Sequence, residues 1–397
     1  MKALRKLFDK MKPYVGEGGK YHAFRSLVDG FETFAFVPNK TSRKGSVNIH
    51  DAIDSKRIMS FVVIALLPAL FFGMYNVGYQ NALAAGQLAN ASFWGMFWYG
   101  FLAVLPKIIV SYVVGLGIEF VVAQWKGEEI QEGFLVSGII IPMIVPVTCP
   151  LWMLAIAVAF SVILAKEIFG GTGMNIFNPA LITRAFLFFS YPSSMTGDCT
   201  VWVKSHTICG LGFNVPDGVD ALSAATPLGD AATSTFQGFD CQTIHDAITG
   251  FIPGSVGETS VIAIAIGAVI LLWTGVASWK TMLSVFVGGA LTGWLMQALG
   301  LTHIVWWEHL VLGGFAFGAV FMATDPVTSC RTEGGKYIYG LLIGFIAVLV
   351  RVLNPGFPEG MMLAILLLNL FSSLIDYCFV ENNIKKRAKR AARAINK

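Results

Sequence analysis

The sequence predicts an all-α protein that crosses a membrane about ten times. Three observations indicate this fold class: 55% of the 397 residues are hydrophobic, only 13% are charged, and the apolar residues fall into long runs. Soluble domains usually carry about 25% charged residues, so this composition favours lipid over water as the surroundings. The 42 glycines also suit the close packing of helices within a bilayer.

Ten apolar runs define the predicted membrane spans. A helix needs about 20 apolar residues to cross the ~30 Å hydrocarbon core, and most of the runs approach that length. The first run begins near Ile58, too far along the chain to be the apolar part of a signal peptide. The predicted spans cover residues 58–76, 101–124, 134–147, 151–167, 178–191, 260–276, 281–300, 306–323, 337–353 and 361–379.

Basic residues at both ends predict how the spans are oriented. Residues 1–57 hold twelve Lys and Arg, and seven more lie between Lys385 and Lys397. Segments rich in Lys and Arg stay in the cytoplasm, and we favour this meaning over nucleic-acid binding. Five crossings then place the acidic segment 192–258 and the uncharged loop 77–97 on the outer side of the membrane, which is the periplasmic side in a bacterium. The charged linkers fall on the cytoplasmic side: Lys126–Glu132, Lys166–Glu167 and Arg331–Lys336.

The chain therefore divides into five predicted parts. A cytoplasmic extension, residues 1–57, precedes a first membrane repeat, residues 58–191. The periplasmic loop, residues 192–258, leads to a second membrane repeat, residues 259–379, and to a basic cytoplasmic tail, residues 380–397.

Two short motifs recur at matching places and predict the internal repeat. Pro146-Val147-Thr148 ends the third span, and Pro326-Val327-Thr328 ends the eighth. Asn178-Pro179 lies between the fourth and fifth spans, and Asn354-Pro355 between the ninth and tenth. Chance is the alternative explanation for matches this short. Because each repeat has five spans, an odd number, the two repeats are inverted relative to each other.

The third and fifth spans are short, and Pro142 and Pro146 interrupt the third. A helix of about 14 residues covers about 21 Å, which is less than the ~30 Å core. Short segments interrupted by proline point to a central binding site, with a tilted or re-entrant packing helix as the alternative.

The six cysteines do not have the spacing of a metal or cluster site. None forms a C-x-x-C pair, and no histidine lies at ligand spacing from them, so we expect no metal bound by this chain alone. Cys199, Cys209 and Cys241 share the periplasmic loop, where a disulfide is allowed but not required. No Ser/His/Asp or Cys/His set indicates hydrolysis, so no residue is predicted to be catalytic.

A run of small residues in the loop ends at Thr226. Asp220-Ala-Leu-Ser-Ala-Ala-Thr226 precedes Pro227 and, on propensity alone, is a surface turn. The run resembles the acceptor motif in which a flavin transferase joins FMN to threonine through a phosphoester. Ala224 stands where that motif usually has glycine, and both residues are small. The resemblance implies covalent FMN on Thr226.

Motifs along nearly the whole chain extend the resemblance. They resemble the B subunit of the sodium-translocating NADH:quinone reductase, and the related D subunit of the Rnf complex shares the last two motifs and the threonine. We favour the first of these families because the Rnf protein lacks an extension as long as residues 1–57. The motifs are Lys10-Met-Lys-Pro13, Gly18-Gly-Lys20, Asp51-Ala-Ile-Asp-Ser-Lys-Arg57, Phe169-Gly-Gly-Thr-Gly-Met-Asn-Ile-Phe-Asn-Pro-Ala-Leu181 and Met322-Ala-Thr-Asp-Pro-Val-Thr-Ser329.

The family resemblance implies a urea-transporter-like fold of ten helices and a role in a sodium-pumping translocase of six subunits. Its cofactors would be covalent FMN and noncovalent riboflavin. Electrons from NADH would enter through the A, C, D, E and F subunits of the complex, because this chain has no G-x-G-x-x-G motif. They would then reach ubiquinone while Na⁺ crosses the inner membrane of a bacterium.

Asn175 and Asn178 are the residues that the resemblance assigns to riboflavin. They follow a glycine-rich segment, Gly170-Gly-Thr-Gly173, and their amides can hydrogen-bond a flat polar ring. Capping of a helix by Asn178 ahead of Pro179 is the structural alternative.

Three acids are candidates for the sodium path: Asp325, Asp376 and Glu119. Carboxylates within a membrane are costly unless they are paired or hydrated, so each is a functional candidate. The alternative is an interfacial carboxylate, or an ion pair with Lys107, Arg184 or Arg351. Phe317 and Phe321 lie four residues apart on the eighth span and form an apolar gate on this interpretation, or simply core packing.

Gly115 and Gly133 lie near the cytoplasmic ends of the second and third spans. The resemblance implies that they border the quinone site, with the N-terminal segment as its cover. Close contact between helices is the alternative.

Three classes of function therefore compete. The favoured one is the flavin-bearing subunit of the sodium pump, with a subunit of a ferredoxin:NAD oxidoreductase of the Rnf type as its relative. A small-solute transporter or channel with the same inverted repeat is the second class, and an anchoring subunit without redox function is the third. A channel has no need of the flavin motif at Thr226, which is why we favour the first.

Overall fold

The computed structural model describes residues 2–15, 25, 28, 31–32, 36, 55–127, 133–195, 202–215, 226–232, 239–354 and 359–395. Within these ranges the chain is helical and contains no strand. The helices are α1 Lys2–Val15, α2 Ser55–Ala84, α3 Phe93–Lys126, α4 Phe134–Ile144, α5 Leu151–Ser161, α6 Pro179–Ser190, α7 Pro227–Ala232, α8 Cys241–Thr249, α9 Val261–Trp273, α10 Trp279–Ala298, α11 Glu308–Val311, α12 Phe315–Phe317, α13 Glu333–Leu353 and α14 Met361–Ile395. Two π-helical segments, Val162–Glu167 and Gly318–Met322, continue α5 and α12.

Among the described residues, five helices are long and apolar enough to cross a membrane: α2, α3, α10, α13 and α14. The 30 residues of α2 extend about 45 Å, well beyond the ~30 Å hydrocarbon core. Large apolar side chains on these helices, such as Val113 and Val121, are exposed, as expected of side chains that face lipid. The prediction of an all-α polytopic membrane protein is therefore confirmed.

The other five predicted spans coincide with shorter helical segments. The third corresponds to α4, whose 11 residues rise about 16 Å, roughly half the ~30 Å core. The eighth consists of α11, α12 and the π-helical segment Gly318–Met322. The ten crossings and the inverted repeat stay predictions.

The predicted end of the first span was wrong. It lies at Ala84 rather than residue 76, and α3 begins at Phe93, so the loop covers residues 85–92 rather than 77–97. Hydropathy falls at Asn76, Gln80 and Asn81, yet all three amides are buried. They hold the segments that follow α6 through four hydrogen bonds: Asn76 Nδ2 donates to Ile252 O at 2.9 Å, Gln80 Nε2 to Phe251 O at 3.2 Å, and Asn81 Nδ2 to Lys204 O at 2.8 Å and Phe213 O at 2.9 Å.

The last helix also runs further than its apolar span. It continues through the basic tail to Ile395, whereas hydropathy ends the span at residue 379. Lys, Arg and Ala are good helix formers, and Glu381 pairs with Lys385 at 3.3 Å on the same face.

Glycines allow close contact between long helices where α10 packs on α13. A Cβ atom on Gly288 would strike the carbonyl group of Leu341, and one on Gly344 would lie 2.5 Å from the backbone nitrogen of Gly289. Small residues let two backbones approach in this way, which is how helices associate in lipid.

Candidate functional site

A cleft opens at the end of the bundle that the charge pattern assigns to the cytoplasm. Its space is about 770 Å³ when the open solvent at its edge is counted with it. Aliphatic residues such as Val62, Ile140 and Leu271 form much of its wall. The polar side chains that line it include Lys166, Thr172, Asn175, Asn178, Thr324 and Asp325. An apolar wall with a few convergent polar groups is typical of a small-molecule site.

Asn178 belongs to both the cleft and a helix cap. Its Oδ1 accepts a hydrogen bond from Ala180 N at 3.0 Å, and Pro179 occupies the first position of α6, so capping is part of its role. Its Nδ2 also donates to Asp325 Oδ2 at 3.4 Å. Asn175 donates to Phe177 O at 3.0 Å and lines the cleft beside it.

The glycines before Asn175 shape the backbone. Gly170, Gly171 and Gly173 have φ values of 113°, 92° and 90°, a region that residues with a Cβ atom rarely adopt. Nothing lies within 4 Å of a Cβ built on Gly171 or Gly173, so the turn itself requires them.

Asp325 sits where the eighth segment breaks at Thr-Asp-Pro. Its Oδ1 accepts from Val327 N at 3.1 Å, and its Oδ2 accepts from Thr328 Oγ1 at 3.1 Å. The neighbouring Thr324 donates to Val320 O at 2.6 Å. The residue before a proline leaves helical geometry. Here the carboxylate of Asp325 accepts the hydrogen bonds of the turn that follows.

A buried ion pair adds charge to the same wall. The ammonium group of Lys166 contacts Oε1 of Glu119, and both side chains are buried. Neither Lys107, Arg184 nor Arg351 is the partner of Glu119. Lys107 donates to Pro146 O, and Arg351 donates to His309 O at 2.7 Å and to Leu312 O at 3.1 Å.

The two phenylalanines of the predicted gate lie in contact. Their ring centroids are 5.0 Å apart, both side chains are buried, and Phe321 lines the cleft. Beyond them, a Cβ atom on Gly257 would lie 3.0 Å from the ring of Phe317. The pair therefore lies between the cleft and the backbone before Glu258.

Glu258 forms a second buried ion cluster. Arg184 Nη1 donates to Glu258 Oε1, Arg184 Nη2 donates to Glu359 Oε1, and Ser255 Oγ donates to Glu258 Oε2. The acidic pattern of residues 192–258 predicts Glu258 to be an acid of a polar loop. Its burial is the correction, and the cause is the cationic partner on α6.

Other predicted site residues lie away from the cleft. Asp376 accepts hydrogen bonds from Arg331 N at 2.7 Å and Thr332 N at 3.0 Å, contacts that fasten the start of α13 to α14. Gly115 contacts the ring of Phe134, so close helix packing occupies its position. Gly133, by contrast, lines the cleft and lies next to the side chain of Thr172.

Thr226 precedes the short helix α7. Its Oγ1 accepts from Gly229 N at 3.1 Å, and its carbonyl accepts from Asp230 N at 2.9 Å. Burial raises the pKa of the Asp230 carboxyl group above its ordinary value. Leu228 packs beside Gly313, in an apolar cluster with Ile252 and Leu312, so Thr226 is held on the surface of the bundle. Residues 216–225, which hold the rest of the motif, lie outside the described residues.

The thiols of Cys209 and Cys241 are free, and Cys199 lies outside the described residues.

Sequence reasoning missed Lys166, because it ends an apolar run and resembles a flanking cytoplasmic charge. The signal that could have found it is Glu119: a carboxylate inside a span needs a basic partner, and Lys166 ends a neighbouring span.

Known proteins resemble the chain over its full length. Its sequence is 45% identical to the Na(+)-translocating NADH-quinone reductase B subunit of Chromohalobacter salexigens, covering 98% of this chain and 97% of that protein. It is 41% identical to the B subunit of the same name from Klebsiella pneumoniae and 40% to that from Pseudomonas paraeruginosa, covering 98% of this chain and 99% of each relative. The model of the NQR2, RnfD, RnfE family matches residues 42–385. Both the match to the family model and the full-length similarity to these proteins show that the chain belongs to the NQR2, RnfD, RnfE family.

Proposed function

We propose that this chain is the flavin-bearing membrane subunit of a sodium-translocating NADH:ubiquinone reductase. The observation that carries the proposal is the cleft, in which two asparagine amides, a buried cation and a carboxylate line one apolar space. The names of three full-length relatives, each a part of a Na(+)-translocating NADH-quinone reductase, support the same assignment.

Riboflavin fits the cleft by the chemistry of its lining. The flat ring of a flavin has an apolar body and a polar edge, and the cleft offers aliphatic walls with Asn175, Asn178 and Thr172 as hydrogen-bonding groups. When bound, the flavin supplies one-electron transfer; the protein supplies its position and the surrounding charge.

Thr226 is the proposed attachment point of FMN. Its hydroxyl accepts a hydrogen bond from a backbone N–H at the start of α7, and the residue is half-buried. The short helix α7 packs on the bundle through Leu228, so a group attached to Thr226 stays close to the membrane part of the chain. A flavin transferase in the periplasm would make the phosphoester.

Sodium is proposed to enter at Asp325. Hard cations prefer oxygen ligands, and the Thr-Asp-Pro break gathers a carboxylate, two threonine hydroxyls and a backbone carbonyl beside the cleft. Phe317 and Phe321 would form the barrier that separates this entry from the far side. Glu119 lies behind Lys166, and the hydrogen bonds of Asp376 fit a capping role, so their places on the path stay predictions.

The quinone site is proposed to lie around Gly115 and Gly133. Gly133 lines the cleft, and Gly115 lies against the ring of Phe134. Both glycines are therefore near the contact between α3 and α4. Ubiquinone would bind near this contact. The five other subunits of the complex would bring electrons from NADH, and both termini would lie in the cytoplasm of the bacterium.

The Rnf type of subunit shares this family, but the full-length relatives at 40–45% identity carry the name of the NADH-quinone reductase. A plain channel of the same architecture would bind no flavin.

The intact mass of the purified chain tests the proposal. We expect an increase equal to FMN less one water, and riboflavin in the supernatant after acid precipitation. An unmodified mass together with no released riboflavin would contradict a flavin-bearing role and favour a channel or an anchor.

A further inference from the structure

Lys166 places a buried cation on the wall of the cleft. Its exposed fraction is 3%, and its ammonium group contacts Glu119, whose exposed fraction is 4%. Lys166 lines the cleft together with Asn175 and Asn178. A ligand in the cleft therefore lies in the field of this cation, which little water screens. Charges act more strongly across such a low-dielectric site than across water.

The ion pair is a costly way to hold two helices together. Glu119 Oε2 is buried, and it has no hydrogen-bond partner in the part of the chain that the structure describes. A buried pair repays its desolvation only when its remaining polar atoms are also satisfied. Packing alone therefore does not account for these two charges beside the cleft.

A neighbouring pair provides a natural comparison. Lys126 lies 3.6 Å from Glu167, which follows Lys166 in the chain. The side chains of Lys126 and Glu167 are 33% and 13% exposed, and neither residue lines the cleft. The two pairs have the same chemistry and join the same two segments, and they differ in burial and in contact with the cleft.

We propose that Lys166 and Glu119 together set the reduction potential of the flavin ring bound in the cleft; this rests on the proposed function. An electron added to the ring makes it more negative, so the ammonium group of Lys166 favours the reduced state. The carboxylate of Glu119 offsets part of that field and holds the ammonium group in place. Protein charge near a flavin is one of the means by which its electronics are tuned.

The two charges predict shifts of opposite sign. In the purified complex, Lys166→Met removes the cation and lowers the potential of the riboflavin, measured by spectroelectrochemical titration. Glu119→Gln leaves the charge of Lys166 uncompensated and raises the potential of the riboflavin. We expect each equilibrium constant for reduction to change about tenfold, which is about 59 mV for a one-electron couple. The double variant returns close to the wild-type potential, and the potential of the FMN on Thr226 stays unchanged in all three.

Lys126→Met and Glu167→Gln are the matched controls, and neither should shift the reduction potential of the riboflavin. Riboflavin extracted by acid from each complex is quantified beside the titration. Normal riboflavin content with unchanged potentials, or shifts of the same sign in both variants, would overturn the inference while leaving the proposed function intact. Wild-type complex without riboflavin would instead overturn the proposed function.

Loss of riboflavin is also informative. If Lys166→Met loses the flavin while Lys166→Arg retains it at the wild-type potential, the charge acts on the ligand, as proposed. If Lys166→Met, Lys166→Arg and Glu119→Gln all lose it, the pair is structural and the proposal is wrong.

Discussion

Asn178 donates from its Nδ2 to Asp325 Oδ2 at 3.4 Å, and this bond joins two breaks in the helical structure. Asn178 precedes the proline that starts α6, and Asp325 precedes the proline that ends the eighth segment. The two residues are 147 positions apart in the chain, one in each predicted repeat. The residue proposed to contact riboflavin and the residue proposed to admit sodium are therefore in contact with each other.

Replacing Asp325 tests the sodium entry. Asp325→Asn keeps the shape of the side chain and the acceptor for Val327 N but removes the charge. Because a cation gains less from a neutral amide, we expect half-stimulation of quinone reduction to need several-fold more sodium. Flavin content and reduction by NADH without added sodium should stay near normal.

Asp240→Asn is the matched control, because the Asp240 side chain makes no cap bond in the loop before α8. An unchanged sodium dependence in Asp325→Asn would remove this residue from the ion path. Loss of flavin or of assembly would assign it a structural role in the turn.

Thr226 is expected to carry the covalent FMN. Thr226→Ala removes the hydroxyl that would form the phosphoester, so the denatured band should lose its fluorescence under ultraviolet light. Thr249→Ala removes a hydroxyl that donates to His245 O within α8, and its band should stay fluorescent. A fluorescent band in Thr226→Ala would show that FMN is attached elsewhere.

Burial separates the two kinds of ion pair in this chain. Arg184 is buried between Glu258 and Glu359, whereas Lys280 pairs with Glu333 at the surface. Leaving a buried charge without its partner costs about 3–5 kcal/mol, and an exposed pair contributes about 0–1 kcal/mol. We therefore expect Arg184→Met to lower the thermal stability of the detergent-purified chain much more than Lys280→Met, measured by size-exclusion chromatography after heating. Equal losses would contradict the structural role of this cluster.

The sequence predicts the helical segments well because apolar periodicity and composition decide them locally. It fails where a long-range contact satisfies a polar residue. By hydropathy, Asn76, Gln80 and Asn81 end a span, and hydrogen bonds to the backbone of distant segments make a buried position tolerable for them.

The same limit applies to the site. Asn178 and Asp325 stand out as residues beside prolines, so their motifs could be recognised locally. The partner of Glu119 is harder to recognise, because a carboxylate inside a span predicts a basic partner but does not say which cation folds back against α3. The capping role of Asp376 could not be recognised either. Hydropathy does not predict that its carboxylate accepts hydrogen bonds from the backbone N–H groups of residues 331–332.

The orientation of the chain can be tested with reporters. Fusions at Lys397 and within residues 233–238 should report opposite compartments, with the C-terminus in the cytoplasm, because the tail is basic and the loop is acidic. Alkaline phosphatase and green fluorescent protein provide the pair of readouts. The same compartment for both sites would exclude ten crossings.

Sodium uptake driven by NADH is the most direct test of the proposed function. The purified complex is reconstituted into vesicles with ubiquinone, NADH is added outside, and uptake of radioactive sodium is measured with and without a protonophore. We expect uptake that depends on NADH and quinone and that persists or increases with the protonophore, since sodium itself is the pumped ion. Asp325→Asn should reduce the uptake at low sodium. Uptake that is absent, or that the protonophore abolishes, would contradict sodium translocation by this complex.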